Sequence, residues 1–375
     1  MEKDADIMKR RFWNLDALRF VFAVLIVYYH VVGGYIQPFV GGDAYYLQMA
    51  ANSRKMCMVA HIFFVISGFF LLKSIKRLLG GGYSFADFSR DKIFRLWPVM
   101  FLSLLTMYLV HKISWPVLFL NSFFLQCIGV SFLYRGLLWW VSCLFWALIF
   151  WAGLAAVIRD LRRFNLIGGI IVYFCIVLNM QNANESFGRD VIWGGVCLGL
   201  LSAIGLVGIG VFLSQLLQNC ARDTWRKWDI VTIARRVIWT IIEIWTIYLL
   251  YLDFCVKGAF KNQLICIIAF CLLLVSFVRR SGLVGFITDN KMCGYCGRFG
   301  YSIYVFQQVV FFYLGKYCWD SWTKSMGFWS YISLSVLCSV TIGIIVYYVV
   351  EVPGAGVCRK IGRLLFGENT KSGCP

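Results

Sequence analysis

Proline is scarce in this chain, with 5 residues in 375. Charge is scarce as well, at 14% of residues, and the 18 acidic side chains are half as many as the 36 basic ones. Histidine occurs only three times. Each shortage excludes something. Few prolines leave the long apolar runs free of helix breakers. Little charge, together with 61% hydrophobic residues and a mean hydropathy of +0.75, excludes an ordinary soluble domain. The apolar runs are continuous rather than alternating, which excludes a membrane barrel. Helices are the remaining way to satisfy a backbone in hydrocarbon. The fold class expected is therefore an all-α, polytopic membrane bundle. No repeat, low-complexity run or linker divides residues 1–375, so one domain is expected. The three histidines (His30, His61 and His111) show no ligand spacing, and no metal is expected.

What the chain does have is apolar length. Ten spans are predicted, at residues 17–36, 57–75, 96–113, 137–158, 165–181, 191–217, 233–251, 262–279, 299–316 and 328–350. The sixth holds many glycines and is expected to bend. Residues 114–136 are apolar but carry Pro116 and Gly129, which suits a re-entrant or surface segment. Residues 1–11 and 352–375 are left as short tails.

The net charge of +18 lies in the loops, which argues against nucleic acid as the partner. With the N-terminus placed in the cytoplasm, 26 Lys and Arg fall inside, nine outside, and Arg19 within a helix. This bias puts both termini in the cytoplasm and sets basic loops against anionic lipid headgroups. No cleavable signal peptide is evident. The 15 cysteines are an odd number and mostly lie within spans, which argues against a disulfide framework. Cys293 and Cys296 form a lone C-x-x-C, read as small apolar residues at a helix entrance.

The first span, "NLDALRFVFAVLIVYYHVV", carries Asp16, Arg19 and His30. Eleven helical positions separate Arg19 from His30, roughly three turns plus 20°, so both side chains share a face about 16 Å apart along the axis. Asp16 is three residues before Arg19 and can hold it. Such a face belongs to a bundle interior or an aqueous cavity. A guanidinium clamps phosphate, and an imidazole accepts and returns a proton near neutral pH. The spacing predicts a tunnel with an anion-binding inner end and a proton-handling outer end. Lys92 and Arg95 share a helical face before Pro98, as either headgroup anchors or a second anion site. Ser67–Gly68 sits in an apolar helix where glycine permits close backbone approach.

Taken in order, the motifs resemble those of acyltransferase family 3, bacterial membrane enzymes that commonly O-acetylate surface glycans. "LDALRFVFAVLIVYYH" resembles the signature in which ten residues separate an Arg from a His. "FFVISGFFLL" resembles the family's FFxxSG segment, and "KIFRLWP" its R-x-x-R-I-x-P motif with Lys92 replacing the first Arg. "LWWVSCLFW" resembles its W-x-x-S segment, "GRFGYSIYVFQQ" its GxxSYxIYLxH segment, and "VEVPG" its closing Glu-x-Pro. The match runs nearly end to end. Two departures stand out. A Glu that many members carry on the fourth span is absent from residues 143–146, and Gln307 stands where many members have His.

The resemblance implies an O-acyltransferase of the bacterial cytoplasmic (inner) membrane. Its co-substrate is an acyl-CoA, most simply acetyl-CoA, and its acceptor a hydroxyl of a glycan, with no tightly bound cofactor. It implies His30 as the catalytic base, Arg19, Lys92 and Arg95 as ligands of the donor phosphates, and Asp16, Ser67, Trp140, Ser142, Tyr304 and Glu351 as supporting or path-lining residues. The rival reading is a translocator of a lipid-linked glycan or small molecule without covalent chemistry. It lacks the two related halves that many transporters show.

Overall fold

The computed structural model describes residues 12–34, 58–110, 112–128, 138–182, 192–193, 196–218, 229–255, 263–314, 317 and 327–366. The tail at residues 1–11, the last nine residues and His111 lie outside these.

The chain is an all-α bundle. Its elements are α1 (Trp13–Gly34), α2 (Met58–Leu79), α3 (Phe85–Leu109), the short α4 (Trp115–Asn121), α5 (Trp139–Ile158) and α6 (Leu161–Asn182). A two-residue antiparallel pair, β1 (Ile192–Trp193) and β2 (Val196–Cys197), leads into α7 (Leu198–Leu217). Then come α8 (Ile230–Cys255), α9 (Gln263–Arg279), the short α10 (Leu283–Thr288) and α11 (Lys291–Cys296), α12 (Gly300–Tyr313), α13 (Phe328–Val346) and α14 (Val352–Phe366). Each predicted span overlaps a helix. Among the described residues, six helices are both long and apolar enough to cross a membrane.

The structure corrects three boundaries. The third helix begins eleven residues before the predicted span, because Ser84 caps it: its Oγ accepts from the Asp87 N–H at 3.0 Å. The helix of the sixth predicted span, α7, begins at Leu198, and residues before it form the strand pair. Its glycines do not interrupt it. Gly68 of α2 faces Val207 of α7, and Gly210 of α7 faces Val65 and Phe69 of α2, so closely that a Cβ at either site would overlap backbone. The glycines are contact points between two helices, as small residues are in membrane bundles. The third correction is at the C-terminus, where residues 352–366 of the expected tail are helical. Pro353 explains the join. It has no N–H and crowds the carbonyl four residues back, and the chain makes a π-turn over Tyr347–Glu351 just before it.

Residues 115–127 are not an additional span. They form α4 and a 3₁₀ turn (Leu125–Cys127), with Leu118, Asn121, Gln126 and Cys127 buried against the bundle. The helix α12 is the structural spine of the site, packing against α1, α3 and α13.

Candidate active site

The segment around "GRFGYSIYVFQQ" organises both ends of the site. At its first end, Gly297 packs on the Asp16 backbone and Gly300 on the Arg19 carbonyl, where a Cβ would stand 3.3 Å from the oxygen. The next residue reaches α3: the Tyr301 hydroxyl donates to the Leu96 carbonyl at 2.6 Å. The one after it reaches the π-turn: Ser302 Oγ donates to Glu351 Oε2 at 2.5 Å. Three consecutive residues thus join α1, α3 and the end of α13.

Arg19 pairs with Asp16 at 3.3 Å and lies over the Phe70 ring of α2, 4.4 Å from its centroid. Asp16 balances the guanidinium's charge, and the Phe70 ring attracts it by a cation–π contact. Arg95 is exposed, and its charge acts on both Glu351 and Tyr301. Lys92 lies over the Phe88 ring, 5.1 Å from its centroid. Below them, outside the spans, Arg77 covers the Tyr83 ring at 4.4 Å. Burial, reinforced by its hydrogen bond to Asp91, holds the Tyr83 phenol well above its ordinary pKa, so it stays a donor. This is the basic end of the site.

One turn and more along α12 lies the other end. His30 Nδ1 is 3.2 Å from Gln307 Oε1. Gln307 is fully buried, and its Nε2 donates to the Tyr304 carbonyl at 2.9 Å. That carbonyl can only accept, so it fixes which end of the amide faces His30. An amide oxygen can only accept in turn, so this contact is a hydrogen bond when Nδ1 carries hydrogen, which in the neutral ring makes Nε2 the basic nitrogen. The Tyr304 ring packs on Trp140 with centroids 4.9 Å apart, and the Trp140 indole N–H donates to the Ala60 carbonyl at 2.7 Å. His30, Gln307, Tyr304 and Trp140 are therefore one continuous chain of contacts. The helices α1 and α12 run in the same direction: Gly300 lies by Arg19, and Gln307 by His30. That is what first and ninth spans must do if spans alternate.

The remaining predicted residues have structural partners or neighbours. Ser142 is fully buried and its Oγ donates to the Phe124 carbonyl at 2.5 Å. Ser67 is half-buried on α2, beside the Gly68 contact. His61 lines a small pocket with Ile62, Val65, Leu206, Cys266, Ile267 and Phe270. In the C-x-x-C, Gly294 packs under Trp13, while Asn290 caps α11 by accepting from the Cys293 N–H. Sequence reasoning marks Gln307 as a residue unable to shuttle a proton but assigns it no place in the site. Its signal was present as a departure from the expected His, but only the fold shows what it holds.

The family model for the acyltransferase domain matches residues 12–348. No curated protein and no solved structure gives a significant match. The matched region spans nearly the whole described bundle and contains every candidate site residue except Glu351, and the chain belongs to the acyltransferase-3 family of membrane acyltransferases.

Proposed function

We propose that this protein moves an acyl group, most simply acetyl, from cytoplasmic acyl-CoA to a hydroxyl of a surface or lipid-linked glycan. The observation that supports this best is the orientation of His30 by Gln307. A hydroxyl nucleophile needs a base, and the Tyr304–Gln307–His30 hydrogen bonds orient the imidazole so that Nε2 is the basic nitrogen of its neutral form. Nε2 takes the proton as the acceptor oxygen attacks the thioester carbonyl. The CoA sulfur leaves and receives a proton in turn. Arg19 and Arg95, with Lys92, meet the donor phosphates at the basic end. Glu351, held by Ser302, sets a carboxyl group within electrostatic reach of Arg95. Trp140 and Tyr304 form a wall beside the base.

The deciding experiment is thiol release from acetyl-CoA by purified protein given a glycan acceptor. A translocator without covalent chemistry consumes no acetyl-CoA. Donor affinity is a second measure. Arg19→Ala weakens acetyl-CoA binding by about 10- to 100-fold, the worth of a charge-assisted hydrogen bond. Arg19→Lys recovers only part of it, because an ammonium lacks the bidentate fork. Calorimetry in detergent reads both; equal affinity in all three proteins removes Arg19 from the donor site.

Gln307 makes a separate prediction. Gln307→Glu sets a carboxylate beside His30 and favours the imidazolium. The base form then appears only at higher pH, so the acid limb of the pH–rate profile moves up. Gln307→Ala lets the ring turn and lowers turnover on the order of 10- to 100-fold. An unmoved acid limb in the Glu variant excludes Gln307 as the partner that matters.

Orientation follows from the distribution of basic residues. A reporter active only outside the cytoplasm stays silent when fused to the C-terminus. Activity there refutes the proposed topology.

A further inference from the structure

Three cysteines far apart in sequence meet at the His30 end of the bundle. Cys127 closes the turn after α4, Cys143 lies in the first turns of α5, and Cys197 caps α7. Their sulfurs all lie within 4.8 Å of one another, and all three residues are buried. Neither spacing, 16 nor 54 residues, is a recognisable motif.

The backbone builds this meeting. Phe124 has a left-handed conformation (φ 60°) that turns its carbonyl toward α5. There it accepts from both Ser142 Oγ at 2.5 Å and the Trp146 indole at 2.8 Å, while its ring stacks on Phe145 at 4.2 Å. Cys127, three residues on, is thereby carried to Cys143, with the two sulfurs 2.9 Å apart. Cys127 Sγ is also 3.0 Å from the Trp139 carbonyl. On the other side, a bridge between Ile128 and Val196 brings up Cys197, whose sulfur accepts from the Gly199 N–H at 3.3 Å.

We propose that Cys127 and Cys143 form a disulfide that clamps the α4 segment to α5, with Cys197 as the adjoining thiol. The facing sulfurs are the first reason. Charge is the second. Among the described residues no histidine or carboxylate completes the set. A metal ion on three thiolates would bury net negative charge in an apolar interior, which is costly. A disulfide is neutral. In the bond-forming step both thiols lose hydrogen and the two sulfurs join. An oxidant of the disulfide-bearing oxidoreductase class takes the two electrons and two protons and leaves as its dithiol. This rests on the orientation proposed above, in which the His30 end faces the oxidising, extracytoplasmic side. The clamp adjoins Trp139 and Trp140 and so braces the wall that meets Tyr304.

The test is peptide mapping of the full-length protein. Membranes are quenched in acid, denatured, alkylated without reduction and digested. The expected result is a peptide pair joined through Cys127 and Cys143, two hydrogens lighter than the separate peptides and lost on reduction. Full alkylation of both cysteines in the unreduced sample overturns the proposal. So does a link from either to Cys197. Full alkylation with one equivalent of zinc or copper per chain overturns it in favour of a soft-metal site. Cys197→Ser keeps the link, whereas the Cys127→Ser, Cys143→Ser double variant lowers the melting temperature by about 5–10 °C. If the double variant does not fold, the map of the unaltered protein still decides. Thiol release from acetyl-CoA is read separately: turnover without the link removes only the clamp, and the link without turnover removes only the acyl-transfer reading.

Discussion

His30→Ala lowers acyl transfer by about 10²- to 10⁴-fold, the usual contribution of a positioned general base, while acetyl-CoA still binds. The separation follows from the length of α1. His30 is eleven residues from Arg19 along one continuous helix, which places it about 16 Å from the basic end. Removing the imidazole takes away the base and leaves Arg19 on Asp16 and Phe70. It also leaves Gln307 fully buried with its Oε1 deprived of the His30 contact. Monodispersity in detergent is therefore measured first. His30→Gln retains a hydrogen-bonding group but no base near neutral pH, and serves as the second variant: it folds and stays inactive. Near-normal turnover in a well-folded His30 variant makes the histidine a packing residue.

Gly68→Val prevents α2 and α7 from seating against each other. The added Cβ overlaps the Val207 carbonyl, and backbone cannot rotate away as a side chain can. Overpacking of this kind costs about 1–3 kcal/mol or more, and α7 meets α2 again at Gly210, so the strain has no local exit. The expected outcome is loss of monodisperse protein, or a melting temperature lower by roughly 5–10 °C. Gly169→Ala is the control. It lies within α6 with nothing near its Cβ position, and its stability holds or rises by about 0.5–1 kcal/mol, because alanine loses less entropy in a helix. A Gly68→Val protein as stable as the Gly169→Ala control refutes the packing account.

Helical class, family and the approximate position of each apolar span were legible in the residues alone, whereas the helix over residues 352–366 and the early start of α3 were not. The legible features depend on local quantities: apolar length, the lack of breakers and the spacing of a few polar groups along one helix. Asp16 beside Arg19 is such a case, since three residues on a helix always make neighbours. Contacts between distant segments are another matter. Gln307 reaches His30 across 277 residues of chain, and its buried amide, unlike a missing carboxylate, leaves no charge in the sequence to search for. Cys127, Cys143 and Cys197 meet through a left-handed turn and a two-residue strand pair, features too short to carry a hydropathy signal. Glycines on the sixth span look like breaks in sequence and become contacts in the bundle. The same missing side chain weakens a lone helix and lets two helices touch, and which effect wins depends on whether another helix lies against it.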